Sequence, residues 1–327
     1  MAGVVTSEDV IEALRATGEP TRLRILALLA NEELAVMELS QILDQSQPRV
    51  SRHLKLLSDA GLIERFPDGA WVFYRVAADP VLRHFVDQVL DMIESTDLGM
   101  QRDAERLDAV RGERSSDAQS YFERNAARWD EVRSLYVSEA NVEAAILSAA
   151  GPGPFDRMID LGTGAGRMLA LLGPRAKDAI GLDLSQQMLN VARLHVTEAG
   201  LQGVELRHGD IFATRLPDRS ADLVVVHQVL HYLSDPASAV IEAARLVAPG
   251  GRLLIIDFAP HALEFLREAH QHRRLGFSDE EMGRWMAEAG LLAPDLTTLP
   301  SASSEGLTVK IWAAKRAPAD RKSSKVS

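Results

Sequence analysis

The stretch that decides the fold runs from Arg157 to Gly166 and reads RMIDLGTGAG. It joins an apolar run typical of a buried strand to a glycine-rich turn, and a helical stretch follows at 166–173. Glycine lets the backbone turn tightly and approach a ligand, and the first N–H groups of the next helix are free to bind it. The pattern therefore predicts a strand–turn–helix unit that holds a ligand at its turn.

Further apolar runs alternate with helical stretches on the C-terminal side of this unit. The runs AIGLD (179–183), GVELR (203–207), ADLVVVH (221–227) and RLLIIDF (252–258) are separated by helical spacing at 185–199 and 236–248. Later helices at 263–274 and 278–289 and strands near 292–298 and 306–314 complete the pattern. Continuous apolar strands spaced by helices indicate a parallel sheet covered on both faces, which is an α/β Rossmann-like fold.

The chemistry around the turn narrows the ligand class. Arg167 occupies a position that breaks the dinucleotide pattern G-x-G-x-x-G, and the chain has no phosphate-binding Gly-Lys-Ser/Thr motif. The next strand ends in Asp183, where a carboxylate can accept both hydroxyls of a ribose, although a solvated strand end is the alternative.

In these motifs and their order, residues 120–315 resemble the class I S-adenosylmethionine-dependent methyltransferases, including the turn Pro249-Gly250-Gly251. The resemblance implies a seven-stranded sheet, S-adenosylmethionine or S-adenosylhomocysteine as ligand, and a ligand-binding set. In that set Asp160 and the turn flank the methionine part, Asp183 takes the ribose, Met188 and the 209–211 segment meet the adenine, and His227 faces a substrate. The full set is Asp160, Gly162, Thr163, Gly164, Gly166, Asp183, Leu184, Met188, Gly209, Asp210, Ile211 and His227. Asp210 has an ordinary turn role as its alternative.

Two groups of histidines could suggest a metal. His227 and His231 stand four apart, a spacing that on a helix could hold a metal, and His261, His270 and His272 form a looser group. No acidic third ligand stands at a characteristic spacing, so structural or surface roles are favoured and no metal is expected.

The N-terminal part has a different pattern. Helical spacing at 8–17, from Pro20 through TRLRILALLA, at 36–43 and at 47–61 precedes two β-like runs at 62–66 and 70–76, joined around Pro67-Asp68-Gly69. A helix-turn-helix followed by a hairpin is a winged helix, an α+β domain.

Residues 8–76 resemble the ArsR/SmtB family of winged-helix repressors through GEPTRLRILALL, ELAVMELSQIL, SQPRVSRHLKLLSDAGLIER and GAWVFYRV. The resemblance implies a homodimer that reads a palindromic operator in double-stranded DNA, with half-sites about 10 bp or a multiple apart. The segment QPRVSRHLKLL (47–57) is the recognition helix, or reading helix, that the resemblance implies. The expected DNA-contacting residues are Gln47, Arg49, Ser51, Arg52, His53 and Lys55 on this reading helix, with Arg65 and Arg75 beside the wing. Residues 34–39 lack the family's thiol ligands, and the last helix lacks its pattern of acids and histidines, so the usual metal sensing is rejected.

The predicted domains are a DNA-binding domain at 1–78, a dimerisation helix and polar linker at 79–118, a methyltransferase-like domain at 119–315 and a disordered basic tail at 316–327. Helical spacing of apolar residues from Pro80 to about Asp97 gives a wide stripe suited to another subunit. The segment 98–118 is charged and free of proline, which permits helix in the connector.

Composition limits the environment. The 327 residues contain no cysteine and no apolar run long enough for a membrane span, and acids stand where a signal peptide would carry lysine or arginine. A cytoplasmic protein is expected. The net charge of −11 argues against non-specific coating of nucleic acid but allows a local basic patch.

Three functions follow from the two halves. The first is a transcriptional regulator whose second domain binds S-adenosylmethionine or S-adenosylhomocysteine as effector, an architecture similar to that of S-adenosylhomocysteine-responsive regulators of the methionine cycle. The second is an active methyltransferase for a small molecule that also binds DNA, with His227 as a candidate base. The third, a domain that only supports dimerisation, is disfavoured because the glycines and Asp183 are intact.

Overall fold

In a computed structural model, the protein is described at residues 6–68, 71–77, 79–94, 96–125, 139–300 and 306–318. The chain divides into two compact units, Met1–Ser116 and Asp117–Ser327. The predicted hairpin turn at Gly69 and most of the predicted tail, from residue 319, lie outside the described residues.

The first unit is a winged helix. Its elements are α1 (Ser7–Thr17), α2 (Pro20–Asn31), β1 (Leu34–Ala35), α3 (Val36–Leu43), α4 (Gln47–Asp59), β2 (Ile63–Asp68), β3 (Trp71–Val76), α5 (Pro80–Asp91) and the first part of α6 (Leu98–Asn125). The three strands form one antiparallel sheet in the order β1-β3-β2. Between α3 and α4 the chain turns at Asp44, which adopts a left-handed conformation with φ of 55°. This is the predicted helix-turn-helix with its hairpin.

The segment after the hairpin differs from its prediction. One helix was expected from Pro80 to about Asp97, but α5 ends at Asp91 and α6 begins at Leu98. The break has a local cause, because the Asp97 carboxylate accepts the backbone N–H of Met100 and so caps a new helix. The polar segment 98–118 is helical throughout, and it is not only a connector, since Leu107 and Val110 are buried in the winged-helix core.

The second unit contains α7 (Glu139–Ala150), β4 (Phe155–Leu161), α8 (Arg167–Leu172), β5 (Ala176–Asp183), α9 (Gln186–Glu198), β6 (Val204–His208), β7 (Ala221–His227), α10 (Pro236–Leu246), β8 (Val247–Phe258), α11 (Phe265–His270), α12 (Asp279–Glu288), β9 (Asp295–Leu299) and β10 (Val309–Lys315). The seven strands form one sheet in the order β6-β5-β4-β7-β8-β10-β9, parallel from β6 to β8, with β10 antiparallel to both neighbours. Apolar clusters cover both faces of this sheet. The predicted Rossmann-like α/β fold is confirmed.

In this unit one helix was not predicted and another was predicted too long. No helix was predicted at 139–150, where α7 lies. A helix was expected at 263–274, but α11 covers only Phe265–His270 because Gln271 adopts a left-handed conformation with φ of 58° and ends it.

The strand order fixes where a ligand can bind. From β4 the chain builds outward through β5 and β6 and then returns to the other side of β4 with β7 and β8. Ligands of open α/β sheets bind outside the carboxyl ends of the strands at such a switch point. Within the described ranges, no helix is long and apolar enough to cross a membrane.

Candidate functional site

The glycine turn after β4 has a backbone that other residues could not follow. Gly162 has a φ of +71°, and a Cβ atom added there would lie 2.4 Å from Cγ2 of Val229. Gly166, at the start of α8, has a φ of +82° and would bring a Cβ atom to 3.1 Å from that of Ala192. The turn therefore passes directly against the segment that follows β7, which joins the ends of two strands at the switch point.

Asp160 is a buried carboxylate at the end of β4. Its Oδ2 accepts the hydroxyl of Thr163 at 2.6 Å, while Oδ1 is buried with no hydrogen-bond partner among the described residues. Burial, opposed by the Thr163 hydrogen bond and aided by the nearby charge of Asp183, raises the pKa of Asp160 to about 7. A buried acceptor atom without a partner is a feature expected where a ligand donates.

Asp183 holds the turn together. Its Oδ2 accepts the N–H of Gly164 at 2.8 Å, and its Oδ1 accepts the N–H of Ser185 at 2.8 Å. Burial raises the pKa of Asp183, and these two hydrogen bonds oppose the rise. Each oxygen of a carboxylate has two lone pairs, so both keep an acceptor position for a pair of hydroxyls.

The segments after β5 and β6 form the remaining part of the predicted set. Met188 and Ile211 are buried, whereas Leu184 is 39% exposed. Gly209 donates its N–H to the backbone carbonyl of Asp183, which ties the end of β6 to that of β5. Asp210 accepts the N–H of Phe212 at 2.9 Å, so the turn role named as its alternative is present in the structure.

His227 ends β7 and is half-buried. It pairs in register with Ile256 of β8, so it lies at the carboxyl edge of the sheet. Val229, which contacts Gly162 of the glycine turn, follows it by two residues.

The reading helix α4 divides into a buried and an exposed face. Val50, Leu54 and Leu57 are buried in the core of the first unit. The exposed face carries Gln47, Arg49, Arg52 and Lys55, with Ser51 half-buried beside it. Arg65 on β2 is also exposed. These side chains are accessible to a phosphate or a base edge, and Lys55 also pairs with Asp59 at 2.8 Å.

Two more of the predicted DNA-contacting side chains, His53 and Arg75, have partners inside the unit. His53 is half-buried, its Nδ1 lies 3.5 Å from Oε2 of Glu19, and burial lowers its pKa despite that carboxylate. Arg75 lies 3.1 Å from Oε2 of Glu64 and 3.2 Å from Oε1 of Glu33. Their contacts with DNA stay predictions, as do those of the other residues of the set.

Comparison with known proteins adds to this geometry. Residues 159–255 match the family model described as "Methyltransferase domain", and residues 19–65 match that of "Bacterial regulatory protein, arsR family". A ubiquinone biosynthesis O-methyltransferase of Stutzerimonas stutzeri is 30% identical over 159 residues, which are 44% of this chain and 67% of that protein. The chain belongs to the methyltransferases and carries an arsR-family domain at its N-terminus.

Two further proteins are similar to this chain. An uncharacterized methyltransferase, YcgJ of Bacillus subtilis, is 33% identical over 105 residues, which are 32% of this chain and 42% of that protein. The solved structure of the N-methyltransferase NodS from Bradyrhizobium japonicum, in complex with S-adenosyl-L-homocysteine, has a TM-score of 0.51 and 19% identity and covers 61% of this chain and 98% of its own. This last likeness concerns the fold alone.

The methyltransferase domain also holds a group of side chains that sequence reasoning did not bring together. His231 and Asp257 form a buried pair with Nδ1 2.7 Å from Oδ1, and His272 packs against His231 with ring centroids 4.1 Å apart. The sequence favours structural or surface roles for these histidines, and nothing in it points to Asp257. His231 follows β7 and Asp257 lies on β8, so only the pairing of these two strands brings the two residues together. In the part of the chain that the structure describes, no three histidine or acidic residues are grouped to hold a metal ion.

Proposed function

We propose that this chain is a DNA-binding transcriptional regulator whose methyltransferase domain binds S-adenosylmethionine or S-adenosylhomocysteine as effector. The proposal includes a homodimer on a palindromic operator, the domain limits 1–78, 79–118, 119–315 and 316–327 given above, and the two predicted sets of contact residues.

The chemistry of the turn fits such a ligand. The partnerless oxygen of Asp160 suits the ammonium group of the ligand's methionine part, and the remaining lone pairs of Asp183 suit the ribose hydroxyls. Leu184 and Phe212 are 39% and 38% exposed next to Asp183 and Asp210, which supplies apolar surface for a purine.

Helix α6 carries the regulatory part of the proposal, because it is fixed to the helices that position α4. Arg24 on α2 donates two hydrogen bonds to the buried carboxylate of Asp103 on α6, at 2.5 and 2.6 Å. Arg106 donates to the carbonyl of Ile42, in the last turn of α3, at 3.0 Å and lies 3.6 Å from Asp44.

Through these contacts α6 is bound directly to the helix-turn-helix. Ile42 and Asp44 come immediately before the reading helix, and α6 continues beyond the first unit to Asn125. A ligand that favours one position of α6 would thereby favour one position of α4. Regulation of this kind requires different ligand affinities in the two DNA-binding states.

The test is DNA affinity with and without ligand. Duplexes selected by the full chain from a random pool would be titrated in fluorescence anisotropy with no ligand, with S-adenosylmethionine and with S-adenosylhomocysteine. A coupling free energy of about 1–3 kcal/mol corresponds to a change of roughly 5- to 150-fold. Asp183→Ala, which removes the carboxylate at the turn, should bind the same duplex without responding. A wild-type affinity that neither ligand changes by even a fewfold would overturn the proposal.

A second candidate function, transfer of a methyl group to a small molecule, is favoured by one observation. The buried pair of His231 and Asp257 has no role in the effector proposal and contains the atoms of a general base. The Stutzerimonas relative bears the name of an O-methyltransferase, which suits an oxygen acceptor.

A further inference from the structure

The pair of His231 and Asp257 stands next to the glycine turn. Asp257 is the last residue but one of β8, and His231 lies four residues after the end of β7, in a short turn of 3₁₀ helix at Leu230–Tyr232. Val229, two residues before His231, is the side chain that a Cβ at Gly162 would strike. The pair therefore lies at the same edge of the sheet as the proposed ligand, on its β7–β8 side.

The hydrogen bond fixes the orientation of the imidazole. Asp257 Oδ1 accepts from Nδ1 of His231 at 2.7 Å and from the backbone N–H of Phe258 at 2.9 Å. A histidine whose Nδ1 carries the proton has a lone pair on Nε2, which can accept a proton from another molecule.

Two further buried atoms in this group have no partner among the described residues. They are Oδ2 of Asp257, on a residue that is 0% exposed, and Nδ1 of His272, on a residue that is 5% exposed. Buried polar atoms are nearly always hydrogen-bonded, so two orphans beside one pair indicate a polar ligand that reaches them.

The surroundings of the pair suit a flat ring. The ring of His231 lies 4.1 Å from that of Tyr232 and 5.1 Å from that of Phe258, and the ring of His272 stacks on Phe258 at 5.9 Å with an interplanar angle of 14°. Burial lowers the pKa of His272, and the neighbouring groups His231, His261, His270 and Arg267 lower it further, so His272 is neutral.

The loop at 262–274, which carries His272, has its two ends held together. Phe277 donates its N–H to Phe258 at 2.9 Å and His261 donates to Leu275 at 2.9 Å, so the ends of the loop meet. Gly276, with a φ of +94°, passes so close to Ala259 that an added Cβ would lie 2.2 Å from its carbonyl oxygen. The backbone N–H groups of Arg273 and Arg274 donate to the carbonyl of His231 at 2.8 and 3.0 Å, so the loop holds His272 against the pair.

We propose that His231, oriented by Asp257, is the base that takes the proton of a phenolic methyl acceptor. This inference rests on the second candidate function. As the acceptor oxygen forms its bond to the methyl carbon of S-adenosylmethionine, the carbon–sulfur bond breaks and its electron pair stays on sulfur. The phenolic proton goes to Nε2 of His231, and the resulting imidazolium is stabilised by the Asp257 carboxylate.

The test uses 4-nitrocatechol, whose visible absorption differs between phenol and phenolate, with the full chain loaded with S-adenosylhomocysteine. Because no methyl group is transferred, the measurement reports proton acceptance alone. The bound probe should be ionised at a pH where the free probe is largely not. His231→Gln and Asp257→Asn should each lower the ratio of ionised to neutral bound probe about tenfold, which corresponds to one unit of pKa. His84→Gln, which changes an exposed histidine of the first unit, should leave it unchanged.

A second measurement covers variants that fail to fold, as judged by lost affinity for S-adenosylhomocysteine. In the wild-type chain, the ring nitrogens of His231 should change in nitrogen NMR from neutral imidazole to imidazolium when the probe binds. The inference would be overturned if the spectrum of the probe does not change on binding to wild type, or if it changes equally on binding to His231→Gln. It would also be overturned if the His231 ring stays neutral when the probe binds. Formation of the methyl ether from S-adenosylmethionine is measured separately, so failure of the transfer activity is distinguished from failure of the base.

Discussion

Replacing Asp160 by asparagine should stabilise the methyltransferase domain at high pH while it weakens ligand binding. The pKa of Asp160 rises from 3.8 to about 7 mainly through burial. At about 1.4 kcal/mol per unit of pKa, ionised Asp160 destabilises the ligand-free fold by roughly 4 kcal/mol. Asparagine removes the charge and keeps an oxygen that can accept the Thr163 hydroxyl.

The sign of the pH dependence follows from proton counts. Between about pH 4 and pH 7 the folded state keeps a proton on Asp160 that the unfolded chain has lost, so stability falls as pH rises and levels off above pH 7. Between pH 5.5 and pH 8 this carboxyl alone should cost wild type about 2 kcal/mol, and Asp160→Asn should not lose it.

The assay is urea unfolding at both pH values. Trp71→Phe and Trp129→Phe in every chain leave Trp285 and Trp312, both buried in the second unit, as the fluorescent probes. The free energy of unfolding of wild type should fall by about 2 kcal/mol more than that of Asp160→Asn as pH rises.

The matched control is Asp156→Asn, which changes an exposed carboxyl on the same strand and should track wild type at both pH values. A difference below about 0.5 kcal/mol between Asp160→Asn and wild type, or a variant that is less stable at pH 8, would refute the reasoning. The affinity of wild type for S-adenosylhomocysteine should increase with pH toward pH 8, because ionised Asp160 attracts the ligand's ammonium group. In Asp160→Asn that dependence should be lost.

Three other perturbations test the remaining parts of the molecule. Arg49→Ala should weaken operator binding and reduce the slope of log affinity against log salt by about 1, with no change in the urea midpoint. Arg24→Ala leaves the buried carboxylate of Asp103 unpaired and should destabilise the first unit by roughly 3 kcal/mol in calorimetry. It should also reduce the effect of ligand on DNA affinity, measured by fluorescence anisotropy. Gly162→Ala should abolish S-adenosylhomocysteine binding in calorimetry, whereas Gly200→Ala, at a φ of +63° with open space around it, should cost about 1–2 kcal/mol of stability and leave affinity intact.

The strand–turn–helix at 157–166 and the reading helix could be predicted from sequence because each depends on neighbours along the chain. Glycine spacing, a strand-terminal aspartate and helical periodicity all act within a few residues. For the same reason the sheet and the winged helix were predicted correctly, since alternating apolar runs and a hairpin signal are local patterns.

The contacts that matter most for the proposals join distant residues and could not be predicted. Arg24 and Asp103 are 79 residues apart, and His231 and Asp257 are 26 apart on segments that only the strand order brings together. The prediction of one continuous helix from Pro80 to about Asp97 was wrong, because the capping side chain of Asp97 starts a new helix despite the continuous apolar stripe.

The burial of unpaired polar atoms argues against a domain that only supports dimerisation. Oδ1 of Asp160, Oδ2 of Asp257 and Nδ1 of His272 are all buried without partners among the described residues, and all belong to the carboxyl edge of the sheet or the loop that follows it. Each such atom destabilises the ligand-free fold by about 1–3 kcal/mol, and apolar residues of similar size would remove that penalty. A ligand that supplies the missing partners makes the arrangement favourable. One of these atoms lies at the glycine turn and two lie on the side of β8, so a ligand at the glycine turn would satisfy the first, and a second molecule, or a longer ligand, would satisfy the others.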